Sequence, residues 1–135
     1  MVVFGVELKG SDAIVVVVEK NNDGECMGKE YKIVSLNSTN QEDAQSFRDL
    51  FVALIDQYSP SKTVINTRQQ RGEYAAGAVT FVMEGILLTL QQTNVMSIAN
   101  PTLKAKLKAK SIQSNFTGYP KYAEKAYQLA SVGCL

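Results

Sequence analysis

The side chains best suited to chemistry in this chain are cations. Lys104, Lys106, Lys108 and Lys110 alternate with alanine and leucine, with no acid among them. Ammonium groups at this density neutralise phosphates without reading a base sequence. Lysine and alanine favour helix and Leu103 and Leu107 are four residues apart, so the segment reads as a helix with two lysine lines, 104/108 and 106/110. A solvated amphipathic helix is the ordinary alternative. Arg68 and Arg71 stand just before a long apolar helix, whose N-terminus already favours anions, and so offer further phosphate contacts. Simple helix-start solvation competes with that reading. Glu7 directly follows an inward apolar strand, and there it is either a metal ligand or a solvated strand end.

Other chemistries are excluded by composition. The chain has no histidine, so Ser-His-Asp and Cys-His nucleophile systems and histidine-containing zinc sites are ruled out. Cys26 and Cys134 cannot build a disulfide scaffold or a four-thiolate metal site, and they read as incidental thiols. The formal net charge of +1 hides an asymmetry: residues 1–100 carry 8 basic and 12 acidic side chains, residues 101–135 carry 6 and 1. With 135 residues, 45% of them hydrophobic and 20% charged, the chain is expected to form a single domain over 1–135. The apolar start stops at Glu7, too short for a signal-peptide core, and a cytoplasmic location with no membrane partner is expected. The apolar stretch Tyr74–Leu90 is broken by Glu84 and reads as a buried helix.

The elements that position these groups follow from periodicity and punctuation. Val2–Glu7 and Ala13–Glu19, joined by Lys9-Gly10-Ser11-Asp12, read as an antiparallel hairpin. After the turn Asn21-Asn22-Asp23-Gly24, Glu30–Leu36 supplies a third strand. Thr39 and Glu42 have capping-box spacing before a helix with Phe47, Leu50, Phe51, Leu54, Ile55 and Tyr58 on one face, ended by Pro60. A fourth strand, Thr63–Asn66, precedes a long helix from about Gly72 to Gln91. Its only polar line is Glu73, Gly77, Thr80, Glu84 and Gln91. Its broad apolar surface implies packing on more than a sheet, by other helices or in a homodimer. A buried fifth strand, Asn94–Ala99, leads to Pro101 and the helix Thr102–Lys110, and Gly118-Tyr119-Pro120 introduces the last helix. Tyr119 is expected to staple that helix start, with base stacking by Tyr119 and Tyr122 as the alternative. Right-handed crossovers place the later strands parallel to the first, giving a mixed five-stranded sheet with helices on both sides.

This order resembles the ribonuclease H-like fold, with its strand order 3-2-1-4-5 and strand 2 antiparallel. The local matches are most similar to the RuvC-type resolvase branch. They are Gly5-Val6-Glu7-Leu8-Lys9-Gly10 at the first strand end, Gln69-Gln70-Arg71-Gly72 opening the long helix, and Ile98-Ala99-Asn100-Pro101-Thr102-Leu103-Lys104 around the fifth strand. The sugar-kinase and actin-like proteins share the sheet. Their phosphate turn needs an aspartate that Glu7-Leu8-Lys9-Gly10-Ser11 lacks.

The resemblance implies a nuclease site in which about four carboxylates clamp two magnesium ions. It assigns the catalytic positions to Glu7, Asn66 and Glu124, with Glu7 and Glu124 as metal ligands. Glu7 is a methylene longer than the family's aspartate, which displaces a ligand by roughly 1.5 Å. Asn66 brings no charge, and the partner of Glu124 is Lys121, a cation that competes with metal. The expectation is a nucleic-acid-associated domain with a degenerate carboxylate site. It would contact DNA or RNA phosphates through Arg68, Arg71, Lys104, Lys106, Lys108 and Lys110, and magnesium would be needed only if a reduced site cuts. The competing expectations are a magnesium-dependent structure-selective nuclease and a non-enzymatic scaffold that dimerises through helix 72–91.

Overall fold

Val15, Val16, Val17 and Val18 are all fully buried. Side chains alternate along a strand, so layers must cover both faces of the sheet that holds them. A computed structural model, describing residues 1–66, 77–109 and 118–134, has that layering. Its strands are β1 (Val2–Lys9), β2 (Asp12–Lys20), β3 (Cys26–Ser35), β4 (Lys62–Asn66) and β5 (Asn94–Ile98). Its helices are α1 (Gln41–Tyr58), α2 (Ala78–Leu88), α3 (Asn100–Ala109) and α4 (Glu124–Gly133), the last entered through a 3-10 turn, Lys121–Ala123. The sheet order is β3-β2-β1-β4-β5, with β2 antiparallel to its neighbours and β4 and β5 parallel to β1. This is the expected ribonuclease H-like α/β topology. The first turn is two residues long, and Gly10 supplies its positive φ of 59°.

Alternation divides the sheet residues between two cores. Phe4, Val6, Leu8, Val15 and Val17 face α1 and α2, meeting Phe47, Phe51, Met83 and Leu87. Val3, Ile14, Val16, Val18 and Val64 face α3 and α4, meeting Leu103, Ala126, Leu129 and Ala130. The second layer is tight. A Cβ on Gly5 would collide with the Ala126 carbonyl oxygen and the Ala130 nitrogen, so α4 lies backbone-to-backbone on β1. The far end of α4 is tied to the sheet by lysines. Lys20 Nζ donates to the Cys134 carbonyl at 2.8 Å, and Lys62 Nζ to the Gly133 carbonyl at 3.3 Å. Both satisfy helix-end acceptors and suit the negative end of the helix dipole.

Several elements differ from the sequence reading. The N-cap of α1 is Asn40, not Thr39: its side chain accepts from the Asp43 nitrogen at 2.8 Å, while Ser38 Oγ holds the Asp43 carboxylate at 2.7 Å. Asparagine outranks threonine as a cap, which moves the start by one residue. β3 begins at Cys26 rather than Glu30, because β2 continues to Lys20 and pairs it with Cys26. β5 is exposed except at Ile98 and partly at Val95, since it forms the outer edge of the sheet. α2 ends at Leu88, where Thr89 donates its hydroxyl to the Ile86 carbonyl at 2.6 Å. It begins at Ala78 and not at about Gly72, because Gly77 is extended (φ −73°, ψ 167°) and stands as its N-cap. The helix start expected beside Arg71 is thus displaced, and residues 67–76 lie outside the described residues. Its polar line turns inward at Thr80, which is buried and donates to the Gly10 carbonyl at 2.8 Å. Glu84 is half-buried and partnered. Among the described residues, no helix is long and apolar enough to cross a membrane.

Candidate nucleic-acid interface

In β1 the residues Val3, Gly5, Glu7 and Lys9 share one face by alternation, and Val3 fixes it as the face under α3 and α4. Because Gly5 admits α4 so closely, the residues just beyond it on β1 meet the first turn of that helix. Glu7 and Lys9 line a shallow depression of about 260 Å³ with Lys121, Tyr122, Glu124, Lys125 and Gln128. Glu7 and Glu124, far apart in sequence, therefore come together.

The cation that answers Glu7 is Lys125, whose Nζ lies 3.9 Å from the carboxylate. The Glu7 side chain keeps 16% of its exposure, so this pair is partly withdrawn from solvent screening. Glu124 could have drawn Lys121 or Lys125 along its own helix, yet Lys125 turns to β1 instead. Among the described residues, Lys9 and Lys121 have no ion-pair partner.

Asn66 ends β4 one step beyond the parallel pair Val6↔Ile65, beside Glu7. It is not in the lining of the depression. Its amide nitrogen donates to the Ile98 carbonyl and to Asn100 Oδ1, each at 3.2 Å, which ties β4 to the end of β5 and the start of α3. Its Oδ1 is buried and has no hydrogen-bond partner among the described residues. The orphaned oxygen is a cation ligand by chemistry, but the depression itself does not fit a two-magnesium clamp. Its two carboxylates, Glu7 and Glu124, share the lining with three lysines, and one ammonium already stands at Glu7. Among the described residues, no three His, Cys, Asp or Glu side chains are grouped to hold a metal.

Lys104, Lys106 and Lys108 are exposed on α3, while Leu103 is buried against the same core as α4. The basic helix and the depression thus lie on one side of the sheet. Arg68, Arg71 and Lys110 lie outside the described residues. Tyr119 packs on Tyr127 at 5.9 Å and on Tyr31 at 5.7 Å, and it crosses Gly28 of β3 where any Cβ would strike its hydroxyl. Burial, then Tyr127 and Glu30, hold its phenol above the ordinary value. This is the staple expected at the helix start, extended to the sheet. Tyr122 stays exposed at the rim, edge-on to Tyr31 at 6.2 Å.

Sequence reasoning missed Lys9, Lys125, Tyr122 and Gln128 as members of one site. Their only signal was parity with Glu7 on the strand and spacing of three or four residues along the helix. It also treated Cys26 and Cys134 as unrelated. Burial and a hydrogen bond to Cys26 push the Cys134 thiol up to about 12, so the two thiols are neighbours.

A family model described as "Protein of unknown function (DUF3010)" matches residues 1–133. No curated protein matches the sequence. Among solved structures, Thermus thermophilus RuvC superposes with a TM-score of 0.77 at 12% identity, covering 98% of this chain and 92% of that one. The T. thermophilus RuvC complex with Holliday junction substrate gives 0.73, also at 12% identity and with the same coverage. The yeast mitochondrial Holliday junction resolvase Ydc2 gives 0.63 at 14% identity, covering 98% of this chain and 78% of that one. At these identities the likeness establishes the RuvC-like fold.

Proposed function

Because the chain belongs to the DUF3010 family, whose function is unknown, its role has to be read from its own residues, and we propose that it is a nucleic-acid-binding domain with a degenerate carboxylate site and weak or no nuclease activity. The observation that carries this reading is the Lys125 ammonium beside the Glu7 carboxylate, in a depression that also holds Lys121. A group that must bind metal for cleavage is engaged by a fixed cation. Binding survives such a change because phosphate contacts need positive charge, not metal. The exposed Lys104, Lys106 and Lys108 supply that charge, with Arg68, Arg71 and Lys110 as further contacts. The solved relatives include one in complex with a Holliday junction, so four-way DNA is the first ligand to try.

The test is a titration of four-way and duplex DNA at low salt. Affinity that falls steeply with added salt, and falls again in a Lys104→Gln/Lys108→Gln variant, supports the reading; no binding at low salt removes it. A second reading, a homodimer through the helix expected at 72–91, described as α2 (Ala78–Leu88), is favoured by Leu88, an apolar side chain that is 54% exposed. A Leu88→Asp variant that converts a dimer to a monomer supports it, and a monomeric wild type excludes it.

A further inference from the structure

We propose that the depression between β1 and α4 is a phosphodiester-binding site that works without a metal ion, with Lys9, Lys121 and Lys125 holding the phosphate. The inference rests on the nucleic-acid reading above and names the part of the ligand that this site takes. Three ammonium groups and two carboxylates line it, so the site carries a net positive charge although it contains both candidate metal ligands.

The arrangement within it is specific. Glu7 stands on a buried strand and faces the Lys125 ammonium at 3.9 Å, which holds that side chain toward the strand end. Lys9, two residues further along the same strand face, and Lys121, one turn before Lys125 on the helical segment, approach from the other sides. An anion entering here meets ammonium groups from two separate elements. Tyr122 and Gln128 line the same depression, and both are residue types that carry neutral donors. A divalent cation entering the same space must displace Lys125 from Glu7 and sit among three like charges, which disfavours it. The lysines thus take over the neutralising role that metal plays in a carboxylate clamp, but toward binding alone. The α3 lysines lie on the same side of the sheet, so a backbone held in the depression can continue onto them.

The experiment measures binding of a labelled four-way DNA junction to the full chain, in EDTA and with magnesium, as a function of salt. Wild type is compared with Lys121→Gln and Lys125→Gln, and circular dichroism confirms that each variant folds. Binding is expected to persist in EDTA, and each variant should lose about one unit of the slope of log affinity against log salt. Loss of binding in EDTA with recovery in magnesium overturns the site while leaving the nucleic-acid reading intact. Unchanged slopes in both variants do the same. If no DNA binds, that broader reading fails, and inorganic phosphate decides the site by itself. Saturable shifts of the amide resonances of residues 121–128 sustain it, and their absence overturns it.

Discussion

The ammonium of Lys125 lies 3.9 Å from the carboxylate of Glu7, across the contact between the first turn of α4 and the end of β1. The pair ties together the two groups whose competition decides what the depression binds. Glu7 lowers the positive charge offered to an anion, and Lys125 blocks the carboxylate from a cation.

Replacing Glu7 with Gln should therefore strengthen DNA binding, by about 2- to 5-fold at moderate salt, the range for releasing one partly exposed ion pair. Filter binding or anisotropy reads the change. In the same preparation, magnesium or manganese should give no appreciable cutting of branched DNA. Cleavage by the wild type that the Glu7→Gln change abolishes would establish the nuclease reading in place of this one.

Gly5→Ala should cost at least about 3 kcal/mol of stability, because the new Cβ strikes backbone atoms of Ala126 and Ala130 that cannot move aside separately. Gly133→Ala should cost less, about 1–2 kcal/mol, since it meets side-chain methyls of Val3 and Val64, at 2.7 and 2.8 Å, and no backbone atom. Urea denaturation of the two variants gives the order.

Restoring an acid at the end of β4, by Asn66→Asp, should destabilise the fold by about 2–4 kcal/mol at neutral pH. Aspartate cannot donate to the Ile98 carbonyl or to Asn100 Oδ1, so two acceptors are left facing a buried carboxylate. The loss should shrink on acidification, as the carboxyl regains a donor proton. Urea midpoints across pH would show both effects.

The thiol of Cys134 carries a pH dependence of the same sense, but in the alkaline range. Burial first, and then its hydrogen bond with Cys26, raise it from 9.0 to about 12, against a smaller lowering by Lys20 and the N-terminus. Below pH 9 the thiol is neutral in both states, and its contribution is complete. Between pH 9 and about 12 the unfolded chain releases this proton and the folded chain keeps it, so stability should fall as pH rises. Thermal melts of wild type and Cys134→Ala should diverge in slope over that range. At mildly alkaline pH, iodoacetamide should alkylate the half-buried Cys26 well before Cys134.

Much of the fold was legible because its signals are local. Four successive valines demand a strand covered on both sides, Pro101 suits the first turn of a helix, and the Lys-Ala alternation is helical by propensity. The strand order followed from the handedness of crossovers. β5 was misread as buried because a short apolar run does not reveal whether it ends a sheet or sits inside one. The membership of the depression was hidden for a different reason. Lys125 and Glu7 stand at opposite ends of the sequence, so no local spacing joins them. Their contact exists only because Gly5 lets α4 settle on β1. Cys26 and Cys134 are likewise joined through the third dimension: Lys20 pairs with Cys26 across the sheet and holds the Cys134 carbonyl.

The seating of α4 on Gly5 has one more effect. Lysines from β2 and β4 hold its last carbonyls and Glu7 meets Lys125 near its first turn, so the helix is tied to the sheet at both ends. The backbone positions that bring Lys121, Lys125 and Gln128 around a common point are thus set when the chain folds, not when a ligand arrives. Such a surface is preorganised and should change little in shape on binding. Loosening the seat at position 5 would then weaken binding even with every lysine still in place.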